Sequence, residues 1–220
     1  LASSNGNNTE KIKAMLNLGM ILDLEGNIKL ARNYFDDAIE LASNINDYDL
    51  EATSLLEYAV SLTYTDEKIK SREKYQKAFN LFKILKNKNR LALTAINIGN
   101  SFLNISNFNS AIEYFNIGLK EAGENVRTQM LALRGLGDVY TNLSNYTKAI
   151  DYYEQAKEIS KLLKGISATA KINIGLGILY YNLEMPQKSL NVLKHSEAQL
   201  NESVNPYLKL EIEQKIGIVL

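Results

Sequence analysis

Catalytic chemistry has few candidate residues in this sequence. His195 is the one histidine among 220 residues, and the chain has no cysteine. A zinc site or a nucleophile–base–orienter set needs further residues of these types, so we expect His195 to be a surface residue. Paired carboxylates such as Asp36 and Asp37 lie in a predicted helix without a visible cleft. We therefore expect a protein that is not an enzyme and holds no metal or other cofactor.

Two Gly-x-Gly motifs raise the question of nucleotide binding. Gly135 and Gly137 form one motif, and Gly175 and Gly177 form the other. A dinucleotide fingerprint needs a third glycine three residues further on, and it follows a strand. Tyrosine occupies that position after both motifs, and the surrounding pattern is helical. The sequence therefore does not predict a nucleotide site.

Amide side chains form a pattern that is more typical of a binding site. Asn97, Asn100 and Asn104 share one stripe of a predicted helix, at the spacing i, i+3, i+7. Asparagine carries both a donor and an acceptor, so a row of asparagines can pair with a peptide backbone whatever its side chains are. The alternative is that an asparagine-rich composition placed these residues at exposed positions.

The elements that must position these residues are helix hairpins, most clearly between Leu133 and Ala156. Apolar and small residues recur there at helical spacing on both sides of a turn predicted at Ser144-Asn145. A hairpin this short cannot bury its own apolar face and needs copies of itself on either side.

The copies are marked by a small residue that is followed 12 and 19 positions later by further small residues. Complete triplets begin at residues 19, 59, 99, 137 and 177, and a sixth marker stands at Gly217. A large residue occupies one slot of each second helix: Phe35, Tyr75, Phe115, Tyr153 and Leu193.

This pattern resembles the tetratricopeptide repeat over nearly the whole chain. Two departures stand out, because no tryptophan occupies the early slot and the period is close to 40 residues rather than 34. The longer period is similar to that of kinesin light chains, of LGN-type scaffolds and of bacterial Rap and PlcR-type regulators.

The resemblance implies an all-α, right-handed α-α superhelix of five hairpin repeats plus one additional terminal helix. We expect residues 1–8 to be a disordered leader or linker and residues 9–220 to be the array, with the first helix starting near Thr9. The predicted repeats span about 12–47, 52–88, 92–125, 130–164, 170–203 and, in part, 210–220.

In such arrays the first helix of each pair lines a concave groove. The groove positions then lie six and two or three residues before each marker, and one and four or five residues after it. The partner-binding residues predicted in this way are Asn17, Asn97, Asn100, Asn104, Arg134, Asp138, Asn142, Lys171, Tyr181 and Asn182. Our hypothesis is that the asparagines grip an extended segment while Arg134 and Lys171 meet an acidic group on it.

Gly135 and Gly175 lie on the same side of their helices, two residues before the marker. Either ligand backbone passes close above them, or they allow tight packing between adjacent first helices, which we favour. The same two glycines replace an Asn and an Arg of the carboxylate clamp that binds heat-shock protein tails. That function is therefore not expected.

These observations predict a non-catalytic scaffold that binds a protein or peptide segment in the groove and forms a fragment of a longer protein. The alternative is the peptide-sensing module of a bacterial transcription regulator, phosphatase or sensor kinase. The apolar face that Leu210, Ile212 and Ile216 form near the C-terminus suggests self-association as a further expectation.

The composition limits the classes of partner that we expect the chain to bind. Lysine plus arginine number 25 and aspartate plus glutamate also number 25, so no net field attracts nucleic acid or an anionic membrane. The longest apolar run is too short for a membrane span, and the first ten residues lack the features of a signal peptide. A cytoplasmic location is therefore expected.

Overall fold

The computed structural model describes the backbone of residues 2–63, 65–163, 166–200 and 205–220, with side chains from residue 7 onward. These residues form eleven α-helices and no strand. In chain order the helices are α1 Ala2–Leu24, α2 Ile28–Asn44, α3 Tyr48–Thr63, α4 Lys68–Ile84, α5 Lys88–Leu103, α6 Phe108–Glu121, α7 Val126–Asn142, α8 Tyr146–Leu163, α9 Ile166–Asn182, α10 Pro186–Gln199 and α11 Pro206–Val219.

The structure corrects the predicted start of the first helix. Helix α1 begins at Ala2 rather than near Thr9, so residues 2–8, expected as a disordered leader, are helical. No proline stands between Ala2 and Thr9, and the backbone can therefore continue the helix towards the N-terminus. The role of residues 1–8 as a linker and the repeat boundaries given above stay predictions.

The predicted turns share one backbone geometry. Ser144 has a φ of 57° directly after α7, and the Asn145 N–H donates to the Tyr140 carbonyl at 2.9 Å. This arrangement satisfies a carbonyl that the helix end would otherwise leave unpaired. Ser106 and Glu184 have the same φ sign after α5 and α9. The turn predicted at Ser144-Asn145 is confirmed.

Asparagine also begins several helices. The side-chain oxygen of Asn145 accepts from the Lys148 N–H at 3.3 Å, and Asn125 and Asn205 cap α7 and α11 in the same way. An N-cap asparagine stabilises a helix by about 1 kcal/mol relative to alanine. Part of the asparagine content is therefore explained by capping rather than by binding.

The chain divides into two compact units, residues 1–101 and residues 102–220. In the first unit, α1, α2 and α3 enclose a core in which the Phe35 and Tyr58 rings stack with centroids 5.2 Å apart. In the second unit, one core lies around Tyr153 between α7, α8 and α9, and another lies around Leu193 and Ile212 between α9, α10 and α11.

The marker glycines make room for the large residues of their own hairpins. A Cβ atom on Gly19 would lie 3.0 Å from the Phe35 ring, one on Gly137 would lie 2.7 Å from the Tyr153 ring, and one on Gly177 would lie 2.8 Å from Leu193. Each pair is sixteen residues apart. The five large residues of the second helices are all buried, as the repeat pattern predicts: Phe35, Tyr75, Phe115, Tyr153 and Leu193.

None of the helices in the described ranges combines the length and the apolar character that a membrane crossing requires.

Candidate functional site

The candidate site is a cavity of about 460 Å³ in the second unit, which we call the polar cavity. Helices α7 and α9 form its floor, and residues of α8, α11 and the end of α5 complete it. Its lining residues are Leu103, Asn104, Arg134, Asp138, Thr141, Asn142, Tyr153, Lys171, Ile174, Gly175, Ile178 and Glu211. Five of them, Asn104, Arg134, Asp138, Asn142 and Lys171, were predicted from the repeat spacing alone.

Helical spacing explains how α7 supplies three polar residues to one cavity. Arg134, Asp138 and Asn142 stand at i, i+4 and i+8 and therefore share one face of the helix. The neighbouring residues Leu133, Leu136 and Gly137 are buried between the helices. The face that α7 does not use for packing is thus the face that lines the cavity.

Asp138 lines the polar cavity and is held there by a hydrogen bond. Its carboxylate accepts a hydrogen bond of 2.6 Å from the Tyr153 hydroxyl. Burial raises the pKa of Asp138, although the Arg134 charge and the Tyr153 hydrogen bond oppose the rise, and Glu211 adds to it. Burial and the Asp138 charge also raise the pKa of Tyr153. The hydroxyl therefore stays protonated and keeps donating.

The raised pKa of Asp138 predicts a pH dependence that Asp138→Asn should remove. The folded protein binds this proton more tightly than the unfolded chain, so wild-type stability should fall as pH rises from the ordinary value of 3.8 through the raised pKa. The free energy of unfolding of the variant minus that of the wild type should therefore increase across this window and then level off. Urea unfolding at a series of pH values measures this difference.

The control for this measurement is Asp151→Asn, which changes an exposed carboxylate on α8 that accepts from Gln155. It should not reproduce the rise. A difference between Asp138→Asn and wild type that does not depend on pH would contradict the assignment.

The two asparagines of the polar cavity retain hydrogen-bonding capacity. The Asn142 Nδ2 donates to the Asp138 backbone carbonyl at 2.8 Å. Within the described part of the chain, the Asn142 Oδ1 and the Asn104 side chain have no hydrogen-bond partner. Both side chains are exposed, so their remaining donors and acceptors are open to a ligand.

The two cations of the polar cavity, Arg134 and Lys171, form no ion pair with any described residue. The Nε atom of Arg134 is buried and lacks a hydrogen-bond partner there. Arg134 and Lys171 also line a second cavity, of about 560 Å³, together with Arg127. We call this second space the basic cavity.

The structure places the other predicted residues elsewhere. Asn17 is exposed on α1, and Asn97 and Asn100 are half-buried on α5, all three in the first unit. Tyr181 lines a small apolar cavity of about 140 Å³ with Leu193 and Ile218, and Asn182 is exposed at the end of α9. Their roles in binding stay predictions.

The remaining sequence predictions concern His195, Tyr64 and metal ligands. His195 is exposed on α10, and its ring nitrogen lies 3.1 Å from the Gln199 amide nitrogen. Of the groove positions counted in the second repeat, Tyr64 lies outside the described residues. Nowhere in the described ranges do three or more His, Asp or Glu side chains gather closely enough to hold a metal ion.

Sequence reasoning missed Glu211 and Tyr153 as residues of the site. Glu211 stands six residues before the marker Gly217, so the counting rule that selects Lys171 would have selected it in the partial repeat. Tyr153 fills a core slot, but its hydroxyl extends to the cavity and bonds Asp138. The sequence signal for this role is that the slot holds a tyrosine rather than a phenylalanine.

The structure also settles what Gly135 and Gly175 contact. A Cβ atom on Gly135 would lie 2.3 Å from the Phe115 ring, and one on Gly175 would lie 2.6 Å from the Tyr153 hydroxyl oxygen. The favoured explanation, packing, is therefore correct in kind. The packing partner, however, is the large residue of the preceding second helix and not an adjacent first helix. Gly175 lines the polar cavity as well.

Comparison with known proteins agrees with this geometry. Tetratricopeptide-repeat models match residues 12–45 and 128–202. No curated protein matches the chain.

Solved structures with the same fold include three of particular interest. Aspartyl phosphate phosphatase F from Bacillus subtilis superposes with a TM-score of 0.82 at 16% identity over 97% of this chain. A kinesin light chain-like repeat protein from Podosopora anserina gives 0.71 at 10% identity, covering 86% of this chain and 94% of that chain. YrrB, described as a repeat protein with an unusual peptide-binding site, gives 0.54 at 14% identity over 97% of both chains.

The present chain spans 57% of the length of the phosphatase chain. At these identities the likeness concerns the fold, and the prediction of an all-α tetratricopeptide fold is confirmed. The matching repeat models, the marker glycines packed against their large partners and the superposition thus lead to one conclusion: the chain is a tetratricopeptide-repeat protein.

Proposed function

We propose that the chain is a non-catalytic interaction module that binds an extended segment of a partner protein across α7 and α9. The observation that carries this proposal is the polar cavity. Residues that the repeat spacing assigns separately to three successive repeats line one space there: Asn104, Asn142 and Lys171, with Arg134 and Asp138 between them. Repeat arrays of this kind present extended concave binding surfaces.

The two asparagines supply contacts that do not depend on the partner's side chains. The free Asn142 Oδ1 can accept from a backbone N–H, and the Asn104 amide can both donate to and accept from a backbone. An extended peptide leaves these backbone groups unpaired along its length. Asn104 and Asn142 can therefore hold a segment in register whatever its sequence is.

The charged residues add a preference for a particular sequence. Arg134 and Lys171 have no ion-pair partner among the described residues and are available to an acidic group. Asp138 already accepts a hydrogen bond from the Tyr153 hydroxyl, which stabilises part of its charge within the protein. The peptide-binding site named for YrrB, which shares this fold, supports the proposal.

The test begins by selecting binders for the purified chain from a phage-displayed library of random peptides. Dissociation constants of the selected peptides are then measured by fluorescence anisotropy for wild type and for the Asn104→Ala/Asn142→Ala double variant. Each lost neutral hydrogen bond costs about 1 kcal/mol, so we expect binding to weaken about tenfold or more.

The matched control is Asn116→Ala, which removes an exposed asparagine from α6. All three asparagines are exposed, so neither variant should unfold, as circular dichroism can verify. Peptides that bind the double variant as tightly as wild type would overturn the proposed site.

A further inference from the structure

The residues that line the basic cavity differ in charge from those that line the polar cavity. It lies between the N-terminal halves of α7 and α9 and reaches Asn205, the N-cap of α11. Three cations line it, Arg127, Arg134 and Lys171, and its described lining contains no carboxylate. The apolar residues of its walls include Met130, Leu131 and Leu163.

The cations of the basic cavity have no direct carboxylate partner among the described residues. None of Arg127, Arg134 and Lys171 forms an ion pair with them. Asp138, the one acidic residue of α7, interacts with the Arg134 charge but accepts its hydrogen bond from the Tyr153 hydroxyl. Three positive charges around one concave space favour an anion there.

Arg134 adds a more specific observation. Its buried Nε–H has no hydrogen-bond acceptor in the described part of the chain. A buried donor without an acceptor destabilises the protein, and more so when the group is charged. Guanidinium groups pair with carboxylates and phosphates through two parallel N–H donors. An oxyanion in the basic cavity could therefore pair with the Arg134 guanidinium group.

We infer that the basic cavity binds an oxyanion, a carboxylate or a phosphate, that stands beside an apolar side chain of the bound segment. This inference rests on the proposed function, because Arg134 and Lys171 line both cavities. It divides the ligand into two parts. Its backbone lies by Asn104 and Asn142, while its anionic group and the adjacent apolar residue enter the space by Arg127.

The probes are three capped tripeptides that differ in one residue: acetyl-Leu-Glu-Leu-amide, acetyl-Leu-phosphoserine-Leu-amide and acetyl-Leu-Gln-Leu-amide. Each is titrated into ¹⁵N-labelled protein at constant ionic strength while the arginine Nε–H resonances are followed by NMR. We expect a saturable shift of the Arg134 Nε–H resonance and a dissociation constant about tenfold lower for an anionic peptide than for the glutamine peptide. The anionic peptide that binds more tightly identifies the source of the oxyanion.

Variants locate the site. Arg127→Gln and Lys171→Gln should each weaken binding of the anionic tripeptide several-fold, whereas Lys194→Gln, which removes an exposed cation from α10, should not. Equal binding of the glutamine peptide, a shift that never saturates, or equal effects of all three substitutions would overturn the inference.

The Asn104→Ala/Asn142→Ala variant separates this inference from the proposed function. The tripeptides should bind that variant normally, while library-selected peptides should bind it weakly. Loss of selected-peptide binding without any preference for an anion would overturn the oxyanion site alone. An anion preference with unchanged selected-peptide binding would overturn the proposed function alone.

Discussion

Replacing Gly135 by alanine should lower the free energy of unfolding by up to about 2 kcal/mol, because overpacking a core costs about 1–3 kcal/mol. The new Cβ atom would lie 2.3 Å from Cε1 and 2.5 Å from Cζ of Phe115. Phe115 is fully buried, so its ring cannot move into solvent, and either α6 or α7 must shift. This cost opposes the gain of about 1 kcal/mol that alanine otherwise brings to a helix interior.

Gly217→Ala is the matched control for Gly135→Ala. Gly217 lies in α11, and a Cβ atom added there meets nothing within 4 Å. This substitution should be neutral or should stabilise the protein by up to about 1 kcal/mol. Urea unfolding followed by circular dichroism measures both variants, and two changes of the same sign would contradict the packing assigned to Gly135.

Tyr153→Phe should lower the free energy of unfolding by about 1.5–3 kcal/mol at a pH above the raised pKa of Asp138, because it removes a hydrogen bond to a charged acceptor. The Tyr153 hydroxyl donates to Asp138 at 2.6 Å, and the ring is almost fully buried. The substitution leaves the packing intact but leaves the buried carboxylate without this donor. The loss should shrink in acid, where Asp138 is protonated and the bond joins two neutral groups.

Tyr152→Phe provides the comparison on the same helix. The Tyr152 ring stacks on Tyr140 with centroids 5.5 Å apart and is only partly buried. Removing its hydroxyl should change stability by less than about 0.5 kcal/mol. Denaturant unfolding of both variants at neutral and acidic pH is the measurement. Similar losses for the two tyrosines would show that the bond to Asp138 adds little.

Contacts within one hairpin could be predicted from the sequence, because they have a fixed spacing. Gly137 and Tyr153 are an example, since every complete hairpin repeats the same offset between its marker and its large residue. Contacts between hairpins could not be predicted in this way. Gly135 packs on Phe115, twenty residues earlier, whereas Gly175 packs on Tyr153, twenty-two residues earlier. This second distance changes with the loop that joins the repeats.

The candidate site was predictable to the extent that it follows the repeat. Arg134, Asp138 and Asn142 share a cavity because one helix face repeats every third or fourth residue. Glu211 follows the same spacing relative to Gly217, the marker of the partial repeat. The spacing rule could not predict the role of the Tyr153 hydroxyl, because helical spacing tells which way a side chain points but not how far its polar end extends.

The position of Tyr153 has a consequence for how the second unit loses its structure. One ring fills the space beside Gly137 in its own hairpin and beside Gly175 in the following one. In linear arrays, stability is shared between each repeat and the interfaces with its neighbours. A side chain that is shared by two interfaces increases the part of the stability that comes from contacts between repeats. It decreases the part that each repeat supplies by itself. Fraying of α9 would expose the same ring that α7 needs, so these two hairpins should open together as a single cooperative block.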